Sequence, residues 1–163
     1  MKETNVGLGE LAISRDPEDV LVAYGLGSCI GVVMVDSVTK LSGLLHAVLP
    51  RAPEEKGPGD VKASKYVESG IEFLVASLIR EGVKLPHLNV RLIGGANMLV
   101  TSGMTHTFDI GTRNIEAARL TLNRLKIPVS VAEVGGHTGR TVRVYVVEGR
   151  VTVRVIGEKE REI

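Results

Sequence analysis

Hydrophobic and polar positions in this 163-residue chain form short apolar or alternating runs over much of its length. The runs are rich in Val, Ile and Leu, and glycine, proline and charged residues separate them, which is the pattern of strands joined by turns. The predicted strands are 5–14, 20–26, 30–36, 41–49, 89–93, 129–134, 141–147 and 151–156. The last two alternate Val with Thr, Arg or Tyr on either side of Glu148-Gly149-Arg150, which predicts an antiparallel hairpin.

The period changes to that of a helix in two stretches. From Lys62 to Gly82, apolar residues recur at i, i+3, i+4 and i+7 and predict one buried stripe. A second helix is predicted from Thr112, as its N-cap, to Lys126. The order of strands, helix, strand, helix and strands indicates an α+β fold with mixed sheets, in which two amphipathic helices cover apolar faces.

The stretches between these elements complete the predicted organisation. Residues 51–61 and 99–111 lack periodicity and are predicted to be loops, the first of them a candidate for binding. No repeat or linker interrupts the pattern, so we expect a single domain over 1–163. Its charged last residues, 158–163, are predicted to be a frayed tail.

Composition limits the classes of function. Hydrophobic residues make up 44% of the chain and aromatic residues only 3%, so the core must consist of Val, Leu, Ile and Ala. A net charge of +1 gives no support to nucleic-acid binding, which needs basic clusters. A single cysteine excludes an internal disulfide framework and fits a reducing compartment. No signal-peptide core or membrane-spanning run is apparent, so we expect a cytoplasmic protein.

The single cysteine, Cys29, lies in a bend between two predicted strands, with Gly25, Gly27 and Gly31 around it. Glycines permit unusual dihedrals and close backbone approach, so free N–H groups can lie beside the thiol. A thiol nucleophile needs such donors for the oxyanion of acyl transfer. Cys29 is therefore a candidate nucleophile, although a free cysteine is also among the residues that most often simply fill a core.

His46 is the candidate base for that thiol. It lies on the predicted strand 41–49, and pairing of sequential strands would bring it back towards Cys29. An imidazole can take the thiol proton and return it to a leaving amine. The flanking Leu45 and Ala47 are equally compatible with a sheet histidine whose nitrogens bind backbone groups.

Two other kinds of site receive little support. The spacing Gly25, Gly27, Gly31 departs from G-x-G-x-x-G, and a strand rather than a helix follows it, which excludes a dinucleotide site. No cysteine or histidine pair has metal-ligand spacing, so no metal is expected. The remaining histidines are interpreted as solvated loop residues, with a substrate contact left open for the second of them: His87, His106 and His137.

Five short motifs in this order resemble the CheD family, and the resemblance extends from about residue 6 to residue 156. The motifs are Gly25-Leu26-Gly27-Ser28-Cys29, Leu45-His46-Ala47-Val48-Leu49-Pro50, Gly94-Gly95-Ala96-Asn97-Met98, Ile110-Gly111-Thr112-Arg113-Asn114 and Gly135-Gly136-His137-Thr138-Gly139-Arg140.

The resemblance implies a cysteine hydrolase with a layered α/β sandwich that needs no cofactor. Such proteins deamidate glutamine side chains on chemoreceptor helices, some also hydrolyse glutamyl methyl esters, and a CheC-type phosphatase is a partner. The family's nucleophile matches Cys29 and its general base matches His46. Backbone N–H groups of the bend, at Gly27, Ser28 and Cys29, would then hold the oxyanion.

One position departs from the family pattern. The family commonly has a threonine as third catalytic residue on the strand before the bend, and the matching position here is Ala23. Alanine has no side-chain acceptor, so a backbone carbonyl, Ser28 or Ser42 would have to orient His46. This departure keeps open a non-catalytic adaptor that binds receptors or the phosphatase. A redox-sensing thiol is a third hypothesis, resting only on Cys29 being unique.

Overall fold

A computed structural model describes residues 1–54, 62–98 and 109–163, and these form three layers. Two five-stranded sheets pack face to face, and both helices lie on the outer face of the second sheet. The strands are β1 (Lys2–Asn5), β2 (Glu10–Ser14), β3 (Asp19–Leu26), β4 (Ile30–Asp36), β5 (Leu41–Ala47), β6 (Leu88–Gly94), β7 (Val131–Val134), β8 (Arg140–Tyr145), β9 (Arg150–Val155) and β10 (Arg161–Glu162). The helices are α1 (Val67–Arg80) and α2 (Ile110–Arg124).

The strand order is β1-β3-β8-β9-β10 in the first sheet and β2-β5-β4-β6-β7 in the second. Parallel pairs join β1 to β3 and β6 to β7, and the other pairs are antiparallel. The predicted α+β class, the mixed sheets, the two helices and the hairpin of β8 with β9 are therefore confirmed.

Alternation along the strands divides the apolar residues between two cores. On β4, Ile30, Val32 and Met34 pack towards the helices, whereas Val33 and Val35 pack between the sheets. The helix stripe meets the first set because its apolar residues recur on one face, and Ile71, Leu74 and Leu78 are fully buried there. The second sheet is thus covered on both faces, which explains why every residue of β4 and β5 is buried.

The structure corrects two predicted boundaries. Of the predicted edge strand 5–14, only Glu10–Ser14 forms a strand of its own, β2 in the second sheet. Asn5 is the last residue of β1 in the first sheet, and a turn with Gly9 at φ +72° separates the two strands. Thr112 is not the N-cap of α2, which begins two residues earlier, after Asp109. Gly111 permits this, since a Cβ there would lie 2.4 Å from the carbonyl oxygen of Ala96.

The predicted frayed tail is also partly wrong. Arg161 and Glu162 pair with β9, and Ile163 donates its N–H to the Val151 carbonyl. The tail's charges form contacts of their own, since both guanidinium Nη atoms of Arg161 donate to the carboxylate of Glu133 at 2.9 and 2.8 Å.

Much of the two predicted loops, 51–61 and 99–111, lies outside the described residues. In the part of the chain that is described, no helix is both long enough and apolar enough to cross a membrane.

Candidate active site

The bend that carries Cys29 crosses from one sheet to the other. β3 lies in the first sheet and β4 in the second, so residues 27–29 connect the layers rather than forming a hairpin. The pairing of β3 with β8 shifts register between Ala23 and Leu26, and Gly25 lies at φ +59° within that shift. The glycines therefore lie where the strand pairing becomes irregular at the end of β3, and Cys29 is the residue directly before β4.

Backbone groups of the segment after β6 hold this bend. Gly95 donates its N–H to the Cys29 carbonyl at 2.8 Å, and Ala96 donates to the Gly27 carbonyl at 2.8 Å. Gly94 lies at φ +104°, and a Cβ there would be 2.4 Å from the Cys29 carbonyl oxygen. Only glycine fits this close approach without displacing the residue that carries the thiol.

We expect Gly94→Ala to destabilise the fold by about 3 kcal/mol or more, because a left-handed backbone conformation and a clash with backbone act together. Gly135→Ala is the matched control, since Gly135 lies at φ +86° with no atom within 4 Å of a built Cβ. Denaturant unfolding of both variants measures the difference. Equal losses of stability in the two variants would show that the close approach of residue 94 to the Cys29 carbonyl does not affect the free energy of unfolding.

Cys29 and His46 belong to the same face of the second sheet. His46 pairs with Gly31, and Cys29 lies two residues before that glycine, so the two side chains are diagonal neighbours across β4 and β5. Cys29 and Leu44 both pack in the core between the sheets, which fixes the face. Gly31 presents no side chain opposite His46, and residues at such diagonal positions are within reach of long side chains.

The His46 ring is oriented by a backbone carbonyl. Its Nδ1 lies 2.9 Å from the carbonyl oxygen of Val6, at the end of β1. A carbonyl can only accept, so Nδ1 carries the proton and the other nitrogen, Nε2, holds a lone pair in the neutral ring. Of the orienting groups that the sequence left open, a backbone carbonyl is the one found, and within the described residues neither Ser28 nor Ser42 is hydrogen-bonded to the ring.

The second ring nitrogen is available for chemistry. His46 is only 3% exposed, and its Nε2 is buried with no hydrogen-bond partner among the described residues. A buried unpaired acceptor is costly in a native fold, and such exceptions concentrate at functional sites. The thiol makes no hydrogen bond to Nε2 at rest, as is common in catalytic pairs without substrate.

Burial sets the protonation states of the pair. Desolvation raises the pKa of the Cys29 thiol, which is 9% exposed, and the backbone N–H of the same residue partly opposes the rise. Desolvation lowers the pKa of His46, although the Val6 carbonyl and the charge of Glu10 act in the opposite sense. The resting pair at neutral pH is thus a thiol and a neutral imidazole, not a thiolate and an imidazolium.

The bend also offers backbone donors. Within the described residues, no backbone carbonyl accepts from the N–H groups of Gly27, Ser28 or Cys29. Free N–H groups beside a nucleophile are the usual material of an oxyanion hole. The arrangement can therefore supply a nucleophile and a base from one face of the second sheet, with oxyanion donors in the bend beside them.

All five sequence motifs meet around this bend. Asn114 of α2 donates to the carbonyls of Ser28 and Val48, and the side chain of Asn97 donates to Thr112. His137 Nδ1 lies 2.9 Å from the Asn97 carbonyl oxygen, which ties the turn 135–140 to the segment after β6. The order of the motifs along the chain gave no sign of these particular contacts.

Neither His87 nor His137, the other histidines that the structure describes, lies on β4 or β5. His87 lies in the turn before β6, His137 is exposed, and His106 falls outside the described residues. Across residues 1–54, 62–98 and 109–163, no cluster of three or more His, Cys, Asp or Glu is placed to hold a metal ion.

Comparison with known proteins identifies the family of this chain. The family model described as CheD chemotactic sensory transduction matches residues 48–155. A relative from Symbiobacterium thermophilum is 39% identical over 97% of this chain and 95% of its own length. The chain belongs to the CheD family. Relatives from Clostridium tetani (34% identical, 100% and 97% covered) and Pyrococcus horikoshii (35%, 97% and 95%) bear the same name, "Probable chemoreceptor glutamine deamidase CheD".

Family membership confirms the resemblance found in the sequence motifs. Ala23 is fully buried in the core between the sheets and offers no side-chain acceptor to the His46 ring. The Val6 carbonyl supplies the acceptor for the imidazole instead, and Val6 is itself held by a 2.7 Å bond from its N–H to the Val22 carbonyl. His46 therefore has an orienting partner even though residue 23 is alanine.

We expect alkylation of Cys29 by iodoacetamide to keep accelerating above the ordinary thiol pKa of about 8.5, because burial disfavours the thiolate that reacts. The single cysteine makes the rate specific to this site, and intact-mass measurement across a pH series follows it. A rate that levels off near pH 6 would contradict the neutral resting pair.

Burial and a raised pKa also argue against a redox sensor, which needs an exposed thiolate.

Proposed function

We propose that this protein deamidates glutamine side chains on the cytoplasmic helices of chemoreceptors, with Cys29 as nucleophile and His46 as general base. The observation that carries the proposal is the ring of His46, which is fixed at Nδ1 and leaves Nε2 unpaired on the face that holds the thiol. The names of the relatives supply the substrate class.

The proposed reaction proceeds in two halves. His46 Nε2 takes the thiol proton as the sulfur attacks the carboxamide carbon, and the carbonyl oxygen becomes an oxyanion held by the N–H groups of Gly27, Ser28 and Cys29. The imidazolium then protonates the nitrogen, so that ammonia leaves and a glutamyl thioester remains. Water attacks the thioester, His46 takes its proton and returns it to the sulfur, and glutamate is released with the thiol regenerated.

The same machinery accommodates a glutamyl methyl ester. The thiol attacks the ester carbonyl, the imidazolium protonates the departing methoxide, and the identical thioester is hydrolysed. A neutral starting pair suits both reactions, because the proton that leaves the thiol is the one that the leaving group needs. None of these steps requires a metal or an organic cofactor.

The decisive experiment incubates the protein with a chemoreceptor cytoplasmic fragment and maps peptides by mass spectrometry. We expect conversion of glutamine to glutamate at defined positions, above a control incubated without protein. A fragment carrying glutamyl methyl esters tests the second reaction in the same samples. Fragments whose glutamines all remain unchanged after long incubation would refute the deamidase proposal.

A second candidate, a non-catalytic adaptor, is favoured by Ala23 and by the low exposure of Cys29. In that case the protein would bind receptor helices or a CheC-type phosphatase without changing them. Binding of both partners by a variant that lacks the sulfur, together with restored chemotaxis in cells, would support the adaptor and contradict catalysis.

A further inference from the structure

Asn114 is a polar side chain buried completely at the first turns of α2. Its Nδ2 donates at 2.8 Å to the Ser28 carbonyl and at 3.0 Å to the Val48 carbonyl. Ser28 directly precedes Cys29, and Val48 follows His46 by two residues. One amide group therefore joins the bend of the proposed nucleophile to the end of the strand that carries the proposed base.

The chemistry of the amide leaves a single orientation. An NH2 group has two hydrogens, and here each faces one carbonyl oxygen. Turning the amide over would place Oδ1 against both carbonyls, with no hydrogen between any pair of oxygens. Oδ1 itself is buried without a partner among the described residues, so the side chain leaves one acceptor unpaired while it makes these two bonds.

We propose that Asn114 is a positioning residue for deamidation, an inference that rests on the function proposed above. It fixes the separation of Cys29 and His46 through the backbone carbonyls of Ser28 and Val48, without contact to substrate. The register of β4 with β5 makes the two residues diagonal neighbours, but Cys29 lies one residue outside β4. The N–H of Gly95 holds its carbonyl from the side of β6, and Asn114 links the bend to the end of β5. A small misplacement of reacting groups costs up to about a hundredfold in rate.

The coupling between substitutions of Asn114 and His46 distinguishes a positioning role from a purely structural one. If Asn114 keeps the base aligned with the thiol, removing His46 matters much less once Asn114 has gone, so the two substitutions are strongly non-additive. If Asn114 only stabilises the fold, the two effects add. The test is a double-mutant cycle of Asn114→Ala with His46→Asn.

The cycle is run on two reactions. Deamidation of the receptor fragment gives kcat and KM, and alkylation of Cys29 by iodoacetamide at pH 7.5 needs no receptor. We expect Asn114→Ala to lower kcat by about a hundredfold while KM changes less than about twofold. We expect His46→Asn as a single substitution to slow alkylation by about tenfold. In the protein that already carries Asn114→Ala, the same substitution should slow alkylation by less than about twofold.

Two further variants control for folding. Thr121→Val removes another buried polar group from α2, where Thr121 Oγ1 donates to the Ala117 carbonyl at 2.7 Å, away from the bend. In that background, His46→Asn should keep its full effect. Asn114→Leu keeps a side chain of similar size without the NH2 group, and it replaces Asn114→Ala in the cycle if the alanine variant does not fold.

The outcomes are distinct. Equal effects of His46→Asn with and without Asn114, or no effect of it on alkylation in any background, would overturn the positioning role. Coupling in alkylation without deamidation of any receptor glutamine would refute the proposed function and leave the positioning of the thiol and imidazole standing.

Discussion

Replacing Cys29 by alanine is expected to lower glutamine deamidation by at least about ten-thousandfold, because no other group in the described site can form the thioester. The loss should be in kcat. The thiol is small and its site is packed, so the free energy of unfolding should change by only about 1–2 kcal/mol. Peptide mass spectrometry of the receptor fragment measures the rate, and denaturant unfolding measures the stability.

Cys29→Ser provides the closest control, since it exchanges sulfur for oxygen in the same place. A hydroxyl is a far weaker nucleophile at neutral pH, and we expect this variant to be almost as inactive as the alanine variant. Retention of more than about a tenth of the wild-type rate by either protein would show that the sulfur is not the nucleophile.

Replacing His46 by asparagine is expected to lower deamidation by about a hundredfold to ten-thousandfold, the usual cost of losing a general base. The amide of asparagine can still donate to the Val6 carbonyl in place of Nδ1, but it offers nothing at the position of Nε2. The substitution therefore removes the base while it retains the contact to β1.

The pH dependence gives a second sign of the same residue. Neutral His46 is the active form, and burial lowers its pKa, so wild-type activity should fall only below the ordinary histidine value of about 6.5. The His46→Asn variant should lack this acid limb. Wild-type kcat that falls already above pH 7, or an unchanged acid limb in the variant, would contradict the assignment.

That Cys29 and His46 lie on neighbouring strands could be predicted, because the two strands follow one another in the sequence. Two apolar runs joined by a short turn, 30–36 and 41–49, form an antiparallel pair in many folds, and the observed register places His46 beside Gly31. The unique cysteine and the glycines around it then marked one end of that pair. Both helices followed from a simple change of period.

Other parts of the site could not be predicted, for reasons that particular residues illustrate. The acceptor for His46 is the carbonyl of Val6, and every residue has a carbonyl, so no residue type marks it. The weak alternation of 5–14 does not show that one strand ends at Asn5 and that another begins at Glu10 in the other sheet. Val6, which follows the first of these strands, reaches the ring through this change of sheet.

Asn114 shows that even a residue within a recognised motif does not reveal its partners from the sequence. It was visible within the motif Ile110-Gly111-Thr112-Arg113-Asn114, but its partners are the backbones of Ser28 and Val48, far away in sequence. Thr112 looked like the helix cap because its residue type favours that position, whereas the start of α2 is set by the fit of Gly111 against Ala96. Tertiary contacts decided both cases.

The most direct test follows the sulfur itself during turnover. The protein is mixed with a receptor peptide of known mass, quenched in acid at short intervals, and weighed intact. We predict an adduct equal to the peptide minus ammonia, located on Cys29 and lost as glutamate accumulates. Glutamate that accumulates in those samples while the protein's mass stays unchanged at every interval would contradict the thioester mechanism.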